Sequence, residues 1–222
     1  MLERLDGVVE APASDAPIWR FMDFTKYVSM LHRRALFFAR ADQLPDPFEG
    51  LFARRNRGLA PPASKPRKVH QRVFVSCWHA NEHESAAMWR IYLNGEEGIA
   101  VRSTVSRLRS VLSQATDTFY LGIVRYLDYQ KERVPEGDEL HPFFCKRKSF
   151  DYEREVRALW RAGDRSDEVG RYVAAQLDAL IEEVVVSPTA ERWFEDLVRS
   201  VTEKYGLSLP IVSSSMRDPP GE

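Results

Sequence analysis

The chain has 222 residues with 32 basic and 33 acidic side chains, so its formal charge of -1 provides no global attraction to a polyanion. Its composition, 44% hydrophobic and 29% charged, is that of a globular chain long enough for one substantial core. The two cysteines, Cys77 and Cys145, cannot make a disulfide framework and fit a reducing, cytoplasmic setting; the N-terminus has no signal-peptide core and no apolar run reaches bilayer-spanning length.

Residues 1–17, rich in Ala, Pro and Asp, read as a mobile leader before one α+β domain over 18–213. Residues 18–21 read as a strand. Asp23 or Thr25 then caps a helix to about Arg34, with Tyr27, Val28, Met30 and Leu31 as its apolar stripe, and 35–39 is a second strand. Asp46, Pro47 and Glu49 have the spacing of a helix start, with Asp as cap, Pro at the first position and Glu at the third. Over 54–72, Arg54, Arg55, Arg57, Lys65, Arg67, Lys68 and Arg72 alternate with Gly and Pro, which predicts an exposed basic loop. Residues 73–78 form the strongest strand pattern. A helix over 85–92 with a stop at Gly95, a strand over 98–102, a helix over 105–112, a strand over 118–126 and a loop over 128–142 follow. The rest predicts a strand within 150–160, an amphipathic helix over 167–182, a strand over 183–187, a helix over 188–205, a strand over 207–213 and a flexible tail over 214–222. The irregular alternation implies α+β architecture around a mixed or split sheet with flanking helices.

The stretch 150–160 carries the strongest chemical signal. In a strand, alternate side chains share a face, so Glu153, Glu155 and Arg157 point one way. Two carboxylates facing a cleft are suited to stabilise an oxocarbenium-like transition state, whereas on a half-exposed strand they simply pair with neighbouring arginines. Asp46 and Glu49 are a second acid pair, which the capping box also explains. Cys77, His79, His83 and Cys145 lack a compact second pair, so a metal site is not expected. The 54–72 loop has the charge to contact phosphates but no interleaved aromatics to stack bases. Neither a P-loop nor Gly-x-Gly-x-x-Gly occurs. Trp78, Trp89 and Tyr92 suit a core or the wall of a pocket for a planar ligand.

The ordered motifs Trp19-Arg20-Phe21, Asp46-Pro47-Phe48-Glu49-Gly50, Val75-Ser76-Cys77-Trp78, Met88-Trp89-Arg90-Ile91-Tyr92, Gly98-Ile99-Ala100-Val101 and Tyr152-Glu153-Arg154-Glu155-Val156-Arg157 resemble the bacterial domain-of-unknown-function family 2971, with Pro45 where that family usually has Asn. A more distant resemblance is to ADP-ribosyltransferase-like folds. It implies an NAD-using enzyme, a defence or toxin-type effector against phage for example. Glu155 would be the essential carboxylate and Glu153 the first member of a Glu-x-Glu pair. Arg20 would hold NAD phosphate or ribose and Ser76 would shape the nicotinamide pocket, with Trp78 and Trp89 as further cofactor-binding candidates. Two other classes stay open: a non-catalytic nucleic-acid or protein-binding module using the basic loop, and a metal-dependent hydrolase or nuclease using Asp46, Glu49, Glu153 and Glu155. No membrane partner is expected.

Overall fold

The computed structural model of the chain describes residues 2–3, 9–46, 49–50, 69–93, 97–135, 138–164 and 167–217. Pro47, Phe48, Gly95 and most of the basic stretch, 54–68, therefore lie outside the described residues. The chain divides into two compact units: Met1–Pro12, Phe37–Trp78 and Leu112–Val173 in the first, and Ala13–Leu36, His79–Val111 and Ala174–Glu222 in the second. Strands pair in both directions, so the sheet is mixed, and helices accompany it, as the α+β reading expects.

In the first unit, β1 (Leu2–Glu3), β6 (Phe119–Ile123), β9 (Glu155–Arg161) and β4 (Val73–Ala80) lie in that order. β3 (Ala35–Arg40) pairs with β4 through Ala39 and Arg40, and β10 (Gly170–Ala174) pairs with β3. β7 (Arg125–Leu127) and β8 (Cys145–Arg147) form a separate parallel pair in which Tyr126 stands beside Lys146. Central β9 is buried from Glu155 through Trp160, and the buried core around it includes Val73, Val75, Phe143, Phe144 and Leu159. Its sequence breaks the rule for such strands: Glu155 and Arg157 occupy interior positions that Val, Ile or Leu normally fill.

In the second unit, β2 (Pro17–Asp23), β5 (Gly98–Thr104), β11 (Glu183–Val186) and β12 (Ile211–Ser213) follow one another, and the end of β4 adds to β2 at Ile18 and Trp19. Helix α1 (Phe24–Arg33) starts where the Asp23 carboxylate accepts the Lys26 backbone N–H at 2.8 Å. It ends at Arg34, whose left-handed backbone (φ 45°) returns its N–H to the Leu31 and Met30 carbonyls. Its buried face includes Tyr27, whose hydroxyl meets Thr202 of α5 (Arg192–Lys204) at 2.8 Å. Helix α2 (Ala86–Tyr92) is capped by Ser85, and α3 (Val105–Ser113) and the short α4 (Leu177–Leu180) complete the helices among the described residues. None of these is long and apolar enough to cross a membrane.

Three expectations need correction. The helix predicted over 167–182 is instead strand β10 followed by the single turn α4. Gly170 admits the backbone against Phe37 and the Phe38 carbonyl, where a side chain would overlap both, and Arg40 donates its N–H to the Val169 carbonyl at 2.9 Å. Arg171 then lays its guanidinium 5.0 Å from the Trp160 ring centre, and Val169, assigned to an apolar helix face, is 62% exposed. Second, the strand expected across 150–160 begins only at Glu155, because Lys148–Glu153 is a 3-10 helix. Third, α5 starts at Arg192 rather than 188, and β12 at Ile211 rather than 207.

The Glu84 carboxylate gathers several of the contacts that hold the C-terminal segment, beside the Ser213–Glu195 and Arg217–Ala190 hydrogen bonds. Glu84 accepts hydrogen bonds from the Ser214 hydroxyl (2.5 Å), the Ser215 backbone N–H (2.8 Å), the Ser215 hydroxyl (2.9 Å) and the Trp89 indole N–H (3.0 Å). Hydrogen bonds to an ionised group contribute about 1.5–3 kcal/mol each where burial is appreciable, less at a half-exposed site. Glu84→Ala is therefore expected to lower stability by about 2 kcal/mol. In hydrogen exchange it should open residues 213–217 ahead of the strands; unchanged protection there would refute the latch.

Candidate functional site

Five charged side chains of the first unit converge on the inner face of β9. Glu155 begins the strand, and period-two alternation puts Arg157 on the same face. The Arg157 guanidinium, fully buried, donates to both Glu155 oxygens, Nε to Oε1 at 2.6 Å and Nη2 to Oε2 at 2.8 Å. It also donates Nη1–H to the Phe143 carbonyl at 2.6 Å, and Nη2 lies 2.7 Å from the Glu49 carboxylate. Lys146 reaches the cluster because β8 alternates too: Cys145 is buried with Leu127 and Val134, which leaves Lys146 the opposite face. Its ammonium lies 2.5 Å from Glu153, 3.3 Å from Glu49 and 3.7 Å from Glu155. One tethered cation thus stands among three carboxylates, the position a metal ion would take in an acidic site. Among the described residues no group of His, Cys, Asp and Glu is arranged to hold a metal.

Local backbone geometry places each acid. Glu49 sits before Gly50, whose φ of +70° suits glycine and where a Cβ would overlap the Phe143 and His70 rings. The His70 ring meets the Glu49 carbonyl at 2.8 Å. Glu153 closes the 3-10 helix, and Arg154, a non-glycine residue in the left-handed region (φ 39°), turns the chain so that Glu153 and Glu155 both face Lys146. Such a conformation is uncommon outside Gly and Asn, and strain of this kind collects at functional sites. The Glu155 backbone N–H donates to the Tyr126 hydroxyl at 2.8 Å. Phe150 lies over the Lys146 and Arg147 cations at 4.8 and 5.3 Å. Arg147, more exposed than its neighbour, pairs with buried Asp46 at 2.8 Å. Asp46 thus pairs with Arg147 and Glu49 with Arg157, while the helix start that their spacing predicts runs through Pro47 and Phe48, outside the described residues.

The electrostatics separate the two glutamates. Burial opposes ionisation of Glu155, but the Arg157 charge and hydrogen bonds, with Lys146, outweigh it and hold this carboxyl below its ordinary value. Burial pushes Glu153 above its ordinary value, and the Lys146 contact offsets this only in part. Burial lowers Lys146, yet Glu155 and Glu49 raise it further and keep it protonated. Desolvation beside Glu155 raises the partly buried Cys77 thiol well above its ordinary value, so it is a hydrogen-bond donor to that carboxylate rather than a thiolate nucleophile.

The structure brings Glu49, Glu153 and Glu155 together around Lys146, with the Asp46–Arg147 pair on the residue next to it. It does not bring Ser76 there. Along β4, Cys77 faces Glu155, so alternation turns Ser76 to the opposite face with Phe74, whose ring packs 5.2 Å from Trp160. The Ser76 hydroxyl is buried without a hydrogen-bond partner among the described residues, and Trp78 is fully buried on that same face. Arg20 and Trp89 belong to the second unit: Arg20 stands opposite Val101 on β5, and Trp89 is 3% exposed against Phe21. Pairing with arginine, the alternative to a cleft-facing role, holds for Glu155 through Arg157, while Glu153 meets Lys146. Lys146 and the ion-pairing use of Arg157 are what sequence reasoning missed. The signal for Lys146 is weak: it is the first of three consecutive cations, Lys146, Arg147 and Lys148, directly after the apolar run Phe143-Phe144-Cys145.

No protein-family model matches the chain, and no curated protein matches it in sequence. The resemblance to family 2971 therefore rests on its motifs. Among solved structures the chain is similar to Thermus sp. 2.9 DarT in complex with NAD+, at 12% identity and a TM-score of 0.47, over 93% of this chain and 98% of that one. The same protein in complex with carba-NAD+ gives 13% identity and 0.45 over 92% and 98%, and in complex with ADP-ribosylated ssDNA 11% and 0.46 over 94% and 98%.

Proposed function

We propose that the chain is an ADP-ribosyltransferase-like enzyme that consumes NAD at the Glu153–Glu155 cluster. The supporting observation is charge imbalance: three buried carboxylates, Glu49, Glu153 and Glu155, face two buried cations, Lys146 and Arg157. Surplus negative charge in a low-dielectric interior costs folding stability and is useful only when positive charge develops beside it. Departure of nicotinamide from NAD creates such a charge. The bond between the pyridinium nitrogen and ribose C1′ breaks with its electron pair going to nicotinamide, and the ribosyl group becomes oxocarbenium-like until a nucleophile attacks C1′. In this reading Glu155, clamped by Arg157 through two hydrogen bonds, is a fixed charge that stabilises the cation. Glu153, paired with the Lys146 ammonium, accepts a hydrogen bond from the ribose hydroxyl. Ser76 and Trp78, on the other face of β4, serve a role apart from the carboxylates. A defence or toxin-type effector of this kind would modify a nucleic-acid or protein acceptor.

The test is release of nicotinamide from NAD, measured by chromatography with water, single-stranded DNA or cellular protein as acceptor. Glu155→Gln and Glu153→Gln are each expected to lower the rate by about 100-fold or more. Absence of nicotinamide release with every acceptor, together with no NAD-dependent rise in melting temperature, would sink the proposal.

A further inference from the structure

We propose that a cleft of the second unit, remote in chemistry from the carboxylate cluster, binds an alkylated ammonium ion. The cleft has a volume of about 390 Å³ and is lined by Asp23, Phe24, Glu97, Trp193, Phe194 and Leu197, together with Thr25. Three aromatic rings in different planes form its wall. Phe24 stands at 74° to Phe194 with centroids 5.2 Å apart, and Trp193 at 78° to Phe194 with centroids 5.8 Å apart. Phe194 is buried, which fixes the base of this arrangement, while Trp193 is 53% exposed. The exposed indole is nevertheless oriented, because its N–H donates to the Glu191 carboxylate at 3.0 Å.

The exposed Trp193, oriented by its hydrogen bond and set beside half-buried Phe24 and Leu197, makes a contiguous apolar lining at the surface, the kind of patch that marks a ligand site. A plain apolar ligand does not account for the acids. Asp23 and Glu97 both line the cleft, and Glu191 holds the indole. Asp23 is shared with Lys26, 2.6 Å away, and with the α1 cap, whereas Glu97 makes no ion pair among the described residues. Aromatic side chains and a carboxylate without an ion pair among the described residues, lining one small cleft, suit a cation whose charge is spread over carbon and whose hydration is weak. A quaternary or multiply methylated ammonium meets that description. A primary ammonium or guanidinium, with N–H groups to satisfy, finds mostly carbon walls here.

Trp193 supplies its own reporter, since the other four tryptophans, Trp19, Trp78, Trp89 and Trp160, are each 8% exposed or less. Titration with choline, against its uncharged isostere 3,3-dimethylbutan-1-ol, is expected to quench the tryptophan emission saturably, with the alcohol at least about tenfold weaker. Glu97→Gln should weaken choline several-fold and leave the alcohol unchanged. Trp193→Ala should remove choline binding in calorimetry while circular dichroism stays that of the native chain. A trimethyllysine peptide that binds more tightly than choline assigns the cleft to a protein ligand, and the reverse order assigns it to a free small cation. Equal binding of choline and the alcohol, or insensitivity of choline to Glu97→Gln, would overturn the proposal. Failure of NAD turnover would leave it standing, because none of these residues belongs to the carboxylate cluster.

Discussion

Arg157→Met is expected to lower the stability of the protein by about 3–5 kcal/mol. The guanidinium is fully buried and serves Glu155, Glu49 and the Phe143 carbonyl at once. Methionine fills comparable volume, so the change is chiefly electrical: two carboxylates stay behind in the interior with only the Lys146 ammonium nearby. Breaking one side of a buried ion pair costs about 3–5 kcal/mol. A domain of this size has about 5–15 kcal/mol in all. Urea unfolding followed by tryptophan emission measures the loss. The double variant Arg157→Met, Glu155→Gln should recover part of it, because the amide needs no counter-ion, and the coupling between the two sites should exceed about 1 kcal/mol. A single variant within about 1 kcal/mol of the native protein would refute the view that Arg157 neutralises this interior.

Glu155→Gln and Glu153→Gln, two positions apart and chemically identical, should shift stability in opposite directions. Glu155 has a folded-state value depressed below the ordinary 4.5, because Arg157 and Lys146 overcome the burial that opposes its charge. Its ionisation therefore stabilises the fold above about pH 4.5, and that contribution disappears as pH falls through the folded value. Replacing it by Gln should lower stability at neutral pH and blunt acid denaturation. Glu153 has a raised value, with burial as the main cause. Its favourable contribution is complete below the ordinary value and is lost as pH rises through the folded one, so at neutral pH its charge is a burden. Glu153→Gln removes that burden and should stabilise by ~1 kcal/mol while NAD turnover falls. Melting temperatures at pH 5 and pH 8 separate the two. Destabilisation by Glu153→Gln at pH 8 would refute the assignment of surplus charge to this residue.

Local chemistry made much of the scaffold legible. Asp23 as a cap, the apolar spacing of Tyr27, Met30 and Leu31, and the β-branched and aromatic run from Val73 give α1 and β4 as found. Gly170 and its neighbours failed the helical reading because the deciding contact, with Phe37 and Phe38, joins residues about 130 positions apart in sequence and leaves no periodic trace. At the site, Glu155 and Arg157 were readable as one face of one strand. Glu49 and Glu153 were readable as candidate acids but their route to the site was not, and Lys146 was not readable at all, since the left-handed turn at Arg154 and the parallel β7–β8 pairing depend on tertiary contacts. A capping pattern at Asp46 and Glu49 was satisfied by sequence alone, yet both carboxylates are engaged by cations from 100 or more residues downstream.

The position of Lys146 among three carboxylates has a consequence for how this centre responds to its surroundings. A cation borrowed from solution comes and goes with its concentration and can be exchanged for a rival ion. An ammonium on the polypeptide arrives with translation, one per molecule, and is never in equilibrium with the medium. The cell cannot starve this centre by altering its ionic composition; the charge is removed by a change in the polypeptide itself, by substitution or by acylation of the lysine.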